Sequence, residues 1–116
     1  PFNQDINSWN VSNVTNMYGM FWQSSFDQPL GSWNTGNVTD MSYMFYSTPF
    51  NQSISGWNTS KVANFSSMFG FATKFNQTIG YWNTSEATDL TGMFYNASAF
   101  NQTLAGWDLS KVTSVR

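Results

Sequence analysis

The chain has 116 residues, 41% of them hydrophobic and 19% aromatic, which is the length of one ordinary domain with ample surface to bury. Charged residues make up 9%, four Lys plus Arg against six Asp plus Glu, so no electrostatic footprint for phosphate backbones or anionic lipid exists and nucleic acid is excluded as a partner. The chain has neither Cys nor His, which excludes thiolate zinc sites and removes the commonest general base and metal ligand.

No apolar run approaches the roughly 18 residues of a membrane span. The chain begins at Pro1 without initiator Met or signal peptide, as expected of a processed protein or an excerpt from a longer one.

Taken in order, the residues repeat. Phe2, Phe26, Phe50, Phe75 and Phe100 are separated by steps of 24, 24, 25 and 25. A Trp follows each of them, at Trp9, Trp33, Trp57, Trp82 and Trp107, with an aliphatic between, at Ile6, Leu30, Ile54, Ile79 and Leu104. Next come Val14, Val38, Val62, Ala87 and Val112, then Met17, Met41, Phe65, Leu90 and Val115, and complete units close on a Met-Phe pair. The units are 2–25, 26–49, 50–74, 75–99 and an incomplete 100–116.

Within a unit, alternation from Trp9 to Val11 predicts a short strand. From Val14 through Met17, Met20 and Phe21 the spacing predicts a short helix or 3-10 segment. Ser12, Ser60, Ser85 and Ser110, with Gly36 in the second unit, stand where they would cap it. One strand and one short helix cannot bury these apolar residues alone, but stacked units can. The expected fold is therefore an α/β repeat solenoid, with one short parallel strand and one short helix per 24–25-residue rung. The Trp set and the Phe2, Phe26, Phe50, Phe75 and Phe100 set become core ladders, and the Met residues fill gaps instead of binding metal.

The segment FNQDINSWNVSNVTNMYGMF, residues 2–21, resembles the repeat of the BspA-type leucine-rich-repeat surface proteins, and the likeness covers all five units. Asp27-Gln28-Pro29 and Asn64-Phe65-Ser66-Ser67 depart from the pattern. The resemblance implies a right-handed leucine-rich-repeat-like superhelix at the cell surface or outside the cell, with adhesive or binding roles and no enzymatic activity.

Asparagine is the second repeated theme. Sequons occur at Asn10, Asn13, Asn37, Asn51, Asn58, Asn64, Asn76, Asn83, Asn96 and Asn101. Two explanations stand: stacked side-chain amides bonded to one another and to loop backbone, or N-glycosylation, for which Asn76, Asn96 and Asn101 are the best candidates.

For catalysis, Asp40 and Asp89 fall in one position of the repeat with Glu86 nearby, but acids at a helix start already have a structural role. No phosphate loop, nucleophile elbow or metal cluster is present, so catalytic residues, metals and cofactors are all expected to be absent. Trp22, Tyr46 and Tyr95, with Phe71 in the third unit, follow the Met-Phe pair and form a candidate exposed interface, while Tyr18, Tyr43 and Tyr81 occupy otherwise small or polar positions. Thr35, Thr59 and Thr84 would be the ice-facing set of an ice-binding array, without a second Thr on the same face. The leading functional expectation is an extracellular structural or adhesive protein that stacks end to end with itself, its surface open to covalent glycans, because the first and last units expose apolar residues. The alternative is a surface module binding a carbohydrate or protein ligand through a sheet face or the aromatic stripe.

Overall fold

The computed structural model describes residues 2–115. Each unit opens on a tight turn closed by a backbone bond, from Trp9 N–H to the Ile6 carbonyl at 3.0 Å and likewise from Trp33 to Leu30, Trp57 to Ile54, Trp82 to Ile79 and Trp107 to Leu104. A second turn follows, closed by Val14 N–H on the Val11 carbonyl at 2.9 Å and repeated at Val38, Val62, Ala87 and Val112. Asn10, Asn34, Asn58, Asn83 and Asp108 hold this second turn, their side-chain Oδ1 accepting the N–H of Ser12, Gly36, Ser60, Ser85 and Ser110 at 2.9–3.1 Å. Short side chains that reach their own backbone two residues on favour turns over helix or sheet.

Where the Met-Phe spacing predicts a helix, the backbone does something else. Alternate N–H groups leave their own unit: Met17, Gly19, Phe21 and Gln23 donate to the carbonyls of Asp40, Ser42, Met44 and Tyr46 at 2.8–3.0 Å. The residues between, Met20, Trp22 and Ser24, donate three residues back, to Met17, Gly19 and Phe21. Left-handed backbone recurs at Gly19, Tyr43, Ser67 and Gly92 and at Gln23, Ser47, Phe71 and Asn96, with φ between 53° and 62°. That reversal forbids a continuous right-handed helix, although its apolar spacing is the same.

Parallel pairing falls at residues for which no strand is expected. Isolated parallel bridges join Asn16 to Asp40, Asp40 to Asn64 and Asn64 to Asp89. The two strands, β1 (Asp89–Leu90) and β2 (Ser114–Val115), pair in parallel with Asp89 opposite Ser114.

Burial drives the rest. Phe26, Phe50 and Phe75 are fully buried, as are Phe45 and Phe69 of the Met-Phe pairs. Each such pair stacks on the Phe that opens the next unit, Phe45 on Phe50 and Phe69 on Phe75, at 4.0 Å between centroids. Trp33, Trp57, Trp82 and Trp107 lie 6.3–6.5 Å apart with planes within 6°. Each indole Nε1–H donates to a carbonyl 27 or 28 residues earlier, Trp33 to Ile6, Trp57 to Leu30, Trp82 to Ile54 and Trp107 to Ile79. A fully buried Phe or Met contributes about 1.5–3 kcal/mol, and an aromatic pair about 0.5–1.5 kcal/mol more.

These findings correct the expected α/β repeat solenoid. Among the described residues there is no helix, and the strands are two residues long. The body measures 37 × 31 × 20 Å with a radius of gyration of 12.9 Å, close to the roughly 13 Å of an ordinary compact domain of this length and not that of an extended superhelix. "Leucine-rich" does not describe the core either: Phe, Met and Trp dominate it, and Leu30 and Leu90 are its only buried leucines among the described residues. The serines expected to cap helices are instead the N–H donors of turns. The extra residue of each 25-residue unit lies after the Met-Phe pair: near Ala72–Phe75, where Phe75 N–H closes a turn on the Ala72 carbonyl and Thr73 and Lys74 are exposed, and near Ala97–Phe100, where Phe100 N–H closes on Ala97.

Candidate functional site

The positions with left-handed backbone accept glycine and asparagine most readily. Gly19 and Gly92 occupy one of them, and Asn96 another. Tyr43 and Phe71 stand in the same two positions at φ 58° and 55°, where a bulky residue costs about 1–2 kcal/mol. Both rings project to the surface and join a continuous aromatic stripe.

From one end, Tyr18 lies 5.7 Å from Tyr43 and 6.1 Å from Trp22. Trp22 lies 4.9 Å from Tyr43 and 5.5 Å from Tyr46. The stripe continues from Tyr46 to Phe71 at 5.5 Å and on to Tyr95 at 5.4 Å, in edge-to-face contacts. Tyr18, Trp22, Phe71 and Tyr95 are exposed, Tyr95 at 62%, and Tyr43 and Tyr46 are half-buried. Gly70 lets Tyr46 lie flat against the backbone, since a β-carbon there would come within 2.9 Å of the ring. Of the interface proposed from sequence, Trp22, Tyr46, Phe71 and Tyr95 all lie in this stripe. Tyr81 is 90% exposed and stands outside it. The sequence signal for the strained positions is the exchange of Gly19 and Gly92 for Tyr43, legible only once the backbone conformation is known.

The core rings divide by position. Trp33, Trp57 and Trp82 are buried and Trp107 is half-buried, but Trp9 is 53% exposed. Phe26, Phe50 and Phe75 are buried and Phe100 is half-buried, whereas Phe2 is exposed. Near Trp107 an open apolar groove of about 360 Å³ is lined by Leu90, Met93, Phe94, Leu104 and Leu109 among others.

Nine of the ten sequon asparagines are exposed, and Asn64 is half-buried. Their side chains largely serve the backbone. Asn51 Oδ1 accepts Asn76 N–H at 3.0 Å and Gln77 Nε2 at 2.9 Å, and Asn76 Oδ1 accepts Asn101 N–H at 2.9 Å and Gln102 Nε2 at 3.0 Å. Asn3 and Asp27 continue this ladder toward the N-terminus. Asn10, Asn58 and Asn83 hold turns, as does Asn64 on Ser66 N–H, and Asn37 bridges the Ser12 carbonyl and Lys61 Nζ. Asn96 takes a left-handed turn position, and Asn13 is exposed. Hydrogen bonding thus gives seven of the ten, Asn10, Asn37, Asn51, Asn58, Asn64, Asn76 and Asn83, a structural reason to recur, and their repetition is no support for a glycoprotein.

Asp40 and Asp89 do not converge. Each accepts a turn N–H, from Ser42 at 2.8 Å and Thr91 at 2.9 Å, and Asn64 lies between them in the bridge series. Among the described residues no group of acids could hold a metal ion. Ser110 N–H and hydroxyl bonding hold the Asp108 carboxyl below the ordinary aspartate range, with Lys111 adding a smaller pull in the same direction. Glu86 pairs instead with Lys111 at 2.9 Å, both side chains more than half exposed. Thr35, Thr59 and Thr84 are buried, their hydroxyls donating to the carbonyls of Asn58, Asn83 and Asp108, which corrects their reading as an ice-facing set.

No curated protein and no solved structure matches the chain. The model of one protein family, described as "Mycoplasma protein of unknown function, DUF285", matches residues 1–49 and 23–116. These two matches together span the whole sequence, and the chain therefore belongs to the DUF285 family.

Proposed function

We propose that the chain is a non-enzymatic structural or adhesive protein, located outside the cell or on its surface, that associates end to end with copies of itself. The observation that carries this reading is the indole-to-carbonyl bond that joins successive units, a contact that a unit of a second copy can make as well as a unit of the same chain. Trp33, Trp57, Trp82 and Trp107 each donate an indole N–H to the carbonyl of Ile6, Leu30, Ile54 or Ile79. Among the described residues, Trp9 Nε1 has no acceptor and the Leu104 carbonyl receives no indole. A second copy stacked in the same sense would bring Trp9 onto Leu104, and Asn3 N–H onto the Asn101 side chain, repeating contacts made internally. Such a head-to-tail contact does not close on itself and generates a filament.

Location is supported by the resemblance of residues 2–21 to BspA-type surface proteins. The non-enzymatic reading is supported by the Asp40 and Asp89 carboxylates, each engaged in its own turn. Light scattering across a concentration series and negative-stain microscopy test the association. The expected result is a mass that rises with concentration and filaments that Trp9→Ser shortens. A monomer at every concentration overturns it.

A further inference from the structure

We infer that the aromatic stripe is a binding site for an extended, neutral glycan chain. Tyr95 at one end of the stripe also lines the groove beside Leu104 and Trp107, whereas Tyr43 and Phe71 lie outside that groove, so the double variant at those two positions separates glycan binding from end-to-end association. The stripe comprises Tyr18, Trp22, Tyr43, Tyr46, Phe71 and Tyr95, in ring contacts of 4.9–6.1 Å.

Two of these rings occupy backbone that resists them. Tyr43 stands where Gly19 and Gly92 stand in other units, and Phe71 where Asn96 stands. Strained residues persist where the surroundings hold them or their placement has a use: Tyr43 is held by its ring contacts with Tyr18, Trp22 and Tyr46, whereas Phe71 is exposed and the buried core is complete without it, so the use of its ring is external.

The chemistry of the stripe selects its ligand. None of its six side chains is that of Lys, Arg, Asp or Glu, and the whole chain has only four Lys plus Arg. Nucleic-acid bases also stack on aromatic rings, but the cationic groove that tracks their backbone is missing. Tyrosine and tryptophan combine an apolar ring with a polar edge that seeks a partner. Among the described residues no protein acceptor meets the Trp22 indole N–H or the hydroxyls of Tyr18, Tyr43, Tyr46 and Tyr95. The stacked and edge-on contacts cover part of each ring, and the outward flanks left on Trp22, Phe71 and Tyr95, edged by unengaged donors, match a pyranose, whose axial C–H groups form an apolar face ringed by hydroxyls. The contacts advance by similar steps, 5.7 Å from Tyr18 to Tyr43, 5.5 Å from Tyr46 to Phe71 and 5.4 Å from Phe71 to Tyr95. A step of that size is close to the length of one sugar residue in an extended chain, which favours a polymer over a monosaccharide.

The test is titration calorimetry of the full chain with neutral trisaccharides and hexasaccharides of β-linked glucose, mannose and N-acetylglucosamine. At least one hexasaccharide series is expected to bind, and to bind more tightly than its trisaccharide. The double variant Tyr43→Gly, Phe71→Asn takes residues that other units already carry at these positions, so its melting temperature should stay near that of the parent while affinity falls about tenfold or more. Tyr95→Ala, at an exposed ring, provides a second variant with the same expected loss should the double variant fold poorly. Absence of binding to every neutral oligosaccharide overturns the inference, as does affinity unchanged in Tyr95→Ala. Binding of a glycan-free protein to the stripe, with no glycan bound, also overturns it.

Discussion

The indole N–H of Trp57 donates to the Leu30 carbonyl at 2.9 Å, inside the core and across 27 residues of sequence. One side chain thus fills an apolar layer and gives a second donor to a carbonyl of the preceding unit that already accepts the Trp33 N–H. Trp57→Phe keeps most of the ring and leaves the Trp33 N–H on that carbonyl, so the lost indole bond costs about 0.5–1.5 kcal/mol, with a further loss from the smaller ring. Chemical denaturation should report the difference. Trp9→Phe, whose indole is exposed and without an acceptor, should change stability by less than about 0.5 kcal/mol.

A buried hydroxyl makes the second case. Thr59 is fully buried, and its Oγ1 donates to the Asn83 carbonyl at 2.9 Å. Thr59→Val preserves the shape and removes the donor, so a destabilisation of about 1–3 kcal/mol is expected, whereas Thr59→Ser should retain part of the bond. The ordering Thr, Ser, Val in denaturation midpoint is the readout.

On the surface, the amide ladder offers a comparison within one molecule. Asn76 Oδ1 receives both Asn101 N–H and Gln102 Nε2, while among the described residues the Asn101 side chain receives nothing. Asn76→Ala should cost about 0.5–1.5 kcal/mol and Asn101→Ala almost nothing. Equal losses would mean that ladder bonding is not what these residues contribute.

Close backbone approach sets a fourth expectation. A β-carbon at Gly80 would come within 2.7 Å of the Thr103 carbonyl oxygen, a backbone atom that cannot swing aside. Gly80→Ala should therefore destabilise by about 1–3 kcal/mol, visible as a lowered melting temperature. Gly56, with open space around it, should accept Ala without a clash.

The Asp108 carboxyl sits below its ordinary range because Ser110 donates to its charged form from N–H and hydroxyl, with Lys111 nearby. A depressed folded-state pKa means that its contribution to stability is present above the unfolded-state pKa and is lost as pH falls through the folded one. Carbon-detected NMR titration should find Asp108 titrating at lower pH than an unrestrained aspartate, and Ser110→Ala should move it partway back. Asp108 is fully exposed, so the accompanying change in stability should be small.

Apolar spacing in the sequence identifies which rings meet, because burial demands apolar residues at matching places in every unit: Trp33, Trp57 and Trp82 stack as their spacing requires. Spacing alone does not specify the backbone between them. The series Val14, Met17, Met20, Phe21 suits a helix, but it also suits overlapping turns whose alternate N–H groups point to the next unit. Residues that tolerate a left-handed φ decide between the two, and Gly19, Gly92 and Asn96 were the visible hints. Tyr43 and Phe71 conceal the same hint because their type argues against the conformation they adopt. Asparagine was legible as a repeated element but ambiguous in purpose, since a sequon and a turn-forming Asn followed by Ser are written with the same letters.

Unit 50–74 carries its additional residue beside Thr73 and Lys74, and the ring and amide contacts resume unchanged at Phe75 and Asn76. The architecture thus has a built-in expansion joint, where length is absorbed without propagating a register error. A short epitope grafted between Thr73 and Lys74 should be displayed at the surface with the parent's thermal profile intact, making this the natural port for labelling the molecule.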